Sequence, residues 1–251
     1  MSELLSKVAV VTGATSGIGR QTALLMKARG WIVVATGRNE KALNKLFEEG
    51  IDAIYPCDLS TPDAARDLID YTLETFDQLD SLIHAAGILT GGGMDNESDE
   101  GFLRLMDVNV NASWYVLKAA WEALKESKGS AVIVSSVTGL RAFPGLMGYC
   151  VSKAAVDQMI RCAALDGAPF GVRVNGVNPG VVVTNLHKAG GMDNEAYAKF
   201  LEHSKTTHPL GRVGEADEVA ESIVWLADEN TQWITGISLP IDGGRQLTCN
   251  R

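Results

Sequence analysis

Short β-branched runs alternate with longer amphipathic stretches along the whole chain. Residues 8–11, 32–35, 53–55, 81–84, 131–135, 172–177 and 237–241 read as strands, and the segments between them carry apolar residues at helical spacing. Strand and helix repeated in this order predict an α/β fold built on a parallel sheet. The clearest helix runs over 149–165, stopped by Gly167 and Pro169. Trp114, Leu117, Trp121 and Leu124 form a second helical stripe, which serves either core packing or a subunit interface. Gly91-Gly92-Gly93 and the polar residues 94–101 predict a loop after the fourth strand. There is no internal repeat and no low-complexity linker. Because parallel sheets bind ligands at the carboxyl ends of their strands, one domain over 1–251 is expected, with its loops converging on one site.

Composition narrows the partners. The 251 residues are 46% hydrophobic and 21% charged, which suits a packed globular protein. The formal net charge of -9 carries no basic cluster, which argues against nucleic acid and anionic membrane as partners. A small ligand stays open, since one local arginine suffices to hold it. Residues 1–7 lack the apolar core of a secretory signal, and no segment approaches a membrane-spanning run. Cys57, Cys150, Cys162 and Cys249 are scattered, with no spacing that suggests a metal cage, so reduced thiols and a cytoplasmic location are expected.

The first strand runs directly into Thr12-Gly13-Ala14-Thr15-Ser16-Gly17-Ile18-Gly19. A strand, a glycine turn and a helix start make a phosphate cradle, because glycine lets backbone approach a pyrophosphate and the first helical amides donate to it. An acid near the end of the second strand binds the ribose 2′-hydroxyl of NAD. Here Ala35-Thr36-Gly37-Arg38-Asn39 has none, and Arg38 offers a charged planar fork suited to a 2′-phosphate. NADP(H) is therefore expected ahead of NAD(H).

Tyr149 and Lys153 lie one helical turn apart, which brings phenol and ammonium onto one face. The other tyrosines, Tyr55, Tyr71, Tyr115 and Tyr197, have Leu59, Thr75, Ala119 and Leu201 at the matching position. A neighbouring cation favours the ionised phenol and draws its pKa toward the working pH, where a proton donor is most effective. One lysine falls short of the roughly 4 kcal/mol needed to bring a phenol from ~10 to about 7, and a bound, positively charged nicotinamide could supply the rest.

With these motifs in this order, the chain resembles the short-chain dehydrogenase/reductase family over almost its whole length. The likeness rests on the glycine turn from Thr12 to Gly19, Asp58-Leu59, Ala86-Gly87, Asn109, Ser136 with Tyr149 and Lys153, and Asn178-Pro179-Gly180 with Thr184. It implies a Rossmann-like three-layer sandwich with a seven-stranded, mainly parallel sheet. It further implies that Gly13, Thr15, Ser16, Gly17, Ile18 and Gly19 hold the dinucleotide, that Asp58 and Leu59 contact adenine, and that Ala86 and Gly87 line the cofactor. Pro179, Gly180, Val182 and Thr184 would face the nicotinamide. Ser136, thirteen residues before the tyrosine and so chosen over Ser135, would orient the substrate carbonyl; Tyr149 would protonate it, Lys153 would lower the phenol's pKa and hold the nicotinamide ribose, and Asn109 would help relay protons.

One departure is plain: the family's usual Asn-Asn-Ala-Gly reads His84-Ala85-Ala86-Gly87, so the bracing of neighbouring strands is altered and His84 is expected to be an interior or cofactor-side residue. The resemblance also implies a homotetramer or homodimer through the helices bearing Asn109 and Tyr149. Residues 184–210, with Leu186, His187, Met192, Tyr197 and Phe200, would form a variable segment that either covers an apolar substrate or is a mobile surface helix pair. The function read from all this is NADP(H)-dependent interconversion of a small or medium apolar carbonyl compound and its alcohol. Two rivals stay open. One is a 3-oxoacyl reductase, which would need a basic entrance such as Arg141 and Lys188; the other is a dinucleotide sensor without catalysis.

Overall fold

The computed structural model describes residues 6–248, and Cys249 lies outside them. In chain order the elements are β1 (Val8–Thr12), α1 (Gly17–Ala28), β2 (Ile32–Gly37), α2 (Glu40–Glu48), β3 (Ala53–Pro56), α3 (Pro62–Phe76) and β4 (Ser81–His84). There follow α4 (Asp99–Leu105), a π-helical stretch (Met106–Asn111), α5 (Ala112–Ser127), β5 (Ser130–Val134), α6 (Val137–Leu140), α7 (Met147–Gly167) and β6 (Arg173–Pro179). The chain ends with α8 (Leu186–Ala189), α9 (Asn194–Thr207), α10 (Ala216–Ala227) and β7 (Ser238–Ile241).

All seven strands pair parallel in the order β3-β2-β1-β4-β5-β6-β7. The inner strands are buried on both faces, which is why they read as unbroken apolar runs rather than alternating ones. Alternation reappears in the packing. Val10, Leu82 and Ile133 join α3, α5 and α7 in one core, while Ala9, Val11, Ile83 and Val132 join α1 and α10 in the other. The direction of strand order reverses between β1 and β4, and a crevice at such a reversal is where open parallel sheets take ligands.

Strand edges differ from the sequence reading by one or two residues. The loop after β4 ends earlier than 101, because the Ser98 hydroxyl accepts from Gly101 N at 3.0 Å and caps α4. Inside that loop Gly92 bridges to Leu146, just ahead of α7. The Trp114 stripe is divided: Leu117 and Leu124 are buried in α5, whereas Trp114 is 53% exposed.

His84 braces β1 against β4, since its Nδ1 lies 2.9 Å from Thr12 Oγ1. The same hydroxyl oxygen accepts from Ala86 N at 3.2 Å, so one threonine side chain joins the ends of both strands. Strand bracing thus runs through Thr12 and His84, and Ala85 has no part in it. Burial, reinforced by the nearby Lys153 charge, lowers the His84 pKa to about 3.

Two outcomes follow from this core. Leu82→Ala, at a fully buried position in the sheet centre, should lower unfolding free energy by about 2–5 kcal/mol in a urea titration with unchanged slope. His84 is neutral when folded, so the unfolded chain takes up its proton first as the solution is acidified. Its stabilisation is whole above the ordinary imidazole value near 6.5 and is lost as pH falls from there toward 3. His84→Asn should therefore flatten the stability–pH curve between pH 6.5 and 4 relative to the parent; parallel curves would remove His84 as a source of the slope.

Candidate active site

The turn from β1 into α1 is shaped by close approach. A Cβ on Gly13 would stand 2.7 Å from Ala85 C and Ala86 N, and Gly13 has φ +65, a conformation that side chains disfavour. A Cβ on Gly19 would meet the Gly13 carbonyl oxygen at 2.4 Å, so bulk there would distort the turn itself. The first turn of α1 has no acidic residue, and Ser16 at its N-cap makes no side-chain capping bond. Amides at this helix end face no competing anion, a donor set that fits a dinucleotide pyrophosphate.

The other segments expected at the cofactor gather around this turn. Positions Gly17 and Thr184 are in contact, a Gly17 Cβ lying 3.1 Å from Thr184 Cγ2, and Thr15 Cγ2 lies 2.8 Å from a Gly37 Cβ at the end of β2. The space beside Gly17 and Thr184 opens into a cleft of about 520 Å³, lined also by Lys188 and Tyr197. Arg38 follows β2 and faces Asp58 across the strand ends, with Nη1 3.8 Å from Oδ2 and both side chains more than half exposed. So long and exposed a pair is worth little, and the Arg38 fork keeps its donors. The Leu59 and Val182 side chains are buried in the apolar cores, so any contact of these residues with the cofactor would fall to their backbone.

Ser136, Tyr149 and Lys153 converge at the carboxyl end of β5, all buried. Ser136 caps α6: its Oγ accepts from Thr138 N at 3.1 Å, which leaves the hydroxyl proton to be given elsewhere. The Ser136 carbonyl accepts from Asn178 Nδ2 at 2.8 Å. Ser135 instead donates to the Lys153 carbonyl oxygen at 3.2 Å, which separates the two serines by role.

Lys153 Nζ donates to the Val134 carbonyl at 2.9 Å and lies 5.9 Å from the Tyr149 ring centre. Desolvation dominates this pair. It pushes the Tyr149 phenol up to about 12, with the Ser136 hydroxyl pulling it partly back, and brings the Lys153 ammonium down to about 8. The lysine does not outweigh burial, so at neutral pH the phenol holds its proton.

Asn109 sits in the π-helical stretch, a geometry frequent at functional sites. Its Oδ1 accepts from Ile88 N at 2.9 Å, and its Nδ2 donates to Ile88 O at 3.0 Å and Ser152 Oγ at 3.1 Å. The side chain therefore clamps the segment after Gly87 onto α7. A Cβ on Gly87 would lie 3.2 Å from Asn109 Oδ1 and 3.6 Å from Lys153 Nζ, which ties the fourth strand's loop to the catalytic helix.

Two supporting residues, Asp157 and His208, escaped the sequence reading, and Tyr197 was expected only as part of the variable segment. Asp157 accepts from Asn178 Nδ2 and from Ser238 Oγ, and its charge favours the Lys153 ammonium one turn away; the Lys153-to-Asp157 spacing in a helix was the available signal. His208 Nε2 accepts from Val181 N at 3.1 Å, and its other ring nitrogen lies 2.6 Å from Ser204 O, pinning the loop after β6 to α9. Tyr197 Oη donates to Thr184 O at 2.9 Å. Neither of the last two has a local signature. Among the described residues no three His, Cys, Asp or Glu side chains come together as a metal group, and no helix is long and apolar enough to cross a membrane.

Comparison with known proteins agrees with this geometry. Residues 13–246 match a family model described as enoyl-(acyl carrier protein) reductase. Cyclohexanol dehydrogenase of Acinetobacter sp. (strain SE19) is 32% identical over 246 residues, covering 95% of this chain and 94% of that one. A solved short-chain dehydrogenase/reductase of unknown function from Caenorhabditis elegans, with cofactor, superimposes with a TM-score of 0.89 at 33% identity over 97% of each chain. The structure of ElxO with NADP bound gives 0.88 at 30% identity, covering 97% of this chain and all of that one. The sheet order, the glycine turn and these full-length likenesses place the chain in the short-chain dehydrogenase/reductase family of oxidoreductases.

Proposed function

We infer that this chain is an NADP(H)-dependent oxidoreductase that interconverts a carbonyl compound and its alcohol, with Tyr149 as general acid and base. The observation that carries the reading is the buried meeting of Ser136, Tyr149 and Lys153 beside Gly87, on the loop against which the glycine turn packs. The bound nicotinamide would supply or accept the hydride. Ser136 has its acceptor capacity engaged by Thr138 N, so its proton is the one available to a substrate carbonyl oxygen. Tyr149, held protonated by burial, gives its proton to the same oxygen as charge builds there. Lys153, anchored on Val134 and favoured as a cation by Asp157, holds the ribose and stabilises the phenolate left behind.

Arg38 supports NADP(H) over NAD(H), as does the NADP bound to ElxO, because a permanently charged fork at the end of β2 pairs with a 2′-phosphate. Residues 184–210 are proposed to cover the substrate, with Leu186, Met192 and Phe200 as the apolar contribution. Exposed Trp114, Val151 and Leu165 on α5 and α7 support a homodimer or homotetramer through those helices. A cytoplasmic, single-domain enzyme fits the unpaired Cys57, Cys150 and Cys162 and the continuous sheet. The 3-oxoacyl alternative loses one of its two entrance cations, since Arg141 Nη1 donates to the Arg245 and Gln246 carbonyl oxygens at 2.9 and 3.1 Å.

Tyr149→Phe should lower turnover by about 10²–10⁴-fold with a carbonyl panel and NADPH, while the melting temperature stays near that of the parent. Substantial residual turnover would remove the phenol from the proton-donor role. Arg38→Ala should weaken NADPH by roughly 10–100-fold in calorimetric titration and NADH far less. Equal losses for the two cofactors would show that Arg38 does not read the phosphate.

A further inference from the structure

A positively charged site with unpaired donors lies between the substrate-side loops and the chain's C-terminal segment. Arg245 follows β7 in a short turn at residues 245–247, and its guanidinium carbon stands 5.1 Å from the centre of the Phe143 ring. Phe143 belongs to the connection between α6, capped by Ser136, and α7, which carries Tyr149. On its other side Arg245 acts electrostatically on His187, the lid residue whose ring lies 4.6 Å from that of Phe200. The guanidinium is thus set between the catalytic loop and the proposed lid.

Two of its three nitrogens are unused. Arg245 Nε and Nη1 are buried and have no hydrogen-bond partner, and His187 Nδ1 is in the same state. Buried donors left unpaired cost roughly 1–3 kcal/mol each, more when charged, so a group that accepts from them recovers that cost. Arg141 stands close enough to lower the Arg245 pKa, which puts two guanidinium charges side by side in a chain whose net charge is -9. Arg141 is satisfied by main-chain carbonyls of the C-terminal segment, including that of Thr248. Asp242 is the one carboxylate that acts on Arg245, and its two oxygens already accept from Gly244 N at 2.9 Å and Gln246 N at 2.7 Å.

We propose that Arg245 is a substrate-binding residue that takes a carboxylate, so that the carbonyl compound reduced at Tyr149 is an oxo acid. The unpaired Nε and Nη1 donors lie on different edges of the guanidinium, so each can give one charge-assisted hydrogen bond to a carboxylate oxygen, and the Phe143 ring lies beside the group. His187 offers a further polar contact from the lid, and Leu186 and Phe200 cover the hydrocarbon between the charged end and the carbonyl. This gives the substrate one anionic end, where the sequence by itself suggests an apolar compound throughout.

The proposal rests on the oxidoreductase reading and is tested by two arms that separate the two. In the first, α-, β- and γ-oxo carboxylates, their methyl esters and matched oxoalkyl phosphates are reduced with NADPH by the parent, Arg245→Gln and Arg245→Lys. The parent should prefer an acid to its ester by roughly 10–100-fold in kcat/KM. Arg245→Gln should erase that preference mainly through KM, with a much smaller loss for the ester, and Arg245→Lys should restore part of it. In the second arm the same carboxylates, and inorganic phosphate, are titrated calorimetrically into the NADP⁺-loaded parent and Arg245→Gln proteins. Carboxylate binding that disappears in Arg245→Gln supports the subsite even if no compound turns over, an outcome that would overturn only the oxidoreductase reading. Turnover of neutral ketones with no preference for acids, equal losses for acid and ester in Arg245→Gln, or preference for phosphate over carboxylate would each overturn the oxo-acid proposal.

Discussion

The contact on which the rest of the structure depends is the backbone approach of Gly13 to Ala85 and Ala86 at the reversal between β1 and β4. No Cβ fits between these two loops, and the Thr12 hydroxyl bonds both the Ala86 amide and His84 across the same seam. Held together here, the carboxyl ends of the two central strands put the anion-binding end of α1 beside the loop that reaches Asn109 and Lys153. A wider separation of β1 and β4 would part the glycine turn from the proposed proton donor, because each is anchored on one side of the reversal.

Burial then sets the chemistry along α7. Tyr149, Lys153 and Asp157 fall on one face of this helix and point into a region where ionisation is costly. Desolvation raises the phenol and the Asp157 carboxyl and lowers the ammonium. Asn178, Ser135 and Ser238 offset part of that cost at Asp157 through hydrogen bonds, one turn from the lysine. The outcome is graded: a protonated acid at the reacting end, a cation behind it, and a hydrogen-bonded anion behind that. Asn178 links the gradient to Ser136 by donating to the Ser136 carbonyl, so the electrostatics and the Ser136 hydroxyl share one support.

Segments distant in sequence close the site from above. His208 on the loop beyond α9 accepts from the Val181 amide, and Tyr197 donates to the Thr184 carbonyl, so a displacement of α9 would move the strand-end loop expected to face the nicotinamide. The C-terminal segment is held in place by Arg141, whose Nη1 donates to main-chain carbonyls, while Arg245 Nε and Nη1 stay unpaired. Two arginines of like appearance in the sequence thus do different work, one fixing the chain and the other presenting charge.

Local pattern was enough for everything that depends on neighbours in sequence. The strands were legible because doubly covered parallel strands are continuously apolar, and the cradle because Gly13, Gly17 and Gly19 follow a strand and open a helix. Tyr149 and Lys153 were legible because a single helical turn relates them. Tertiary structure alone decided what depends on which distant groups share a dry space. It sent the Leu59 and Val182 side chains inward, used Asn109 as a clamp on Ile88, gave Asp157 and His208 their supporting roles, and left Arg245 Nε and Nη1 unpaired. Burial and long-range hydrogen bonding have no period along a chain, so the direction of each pKa shift and the fate of each buried donor are settled only when the sheet, the lid helices and the C-terminal segment pack together.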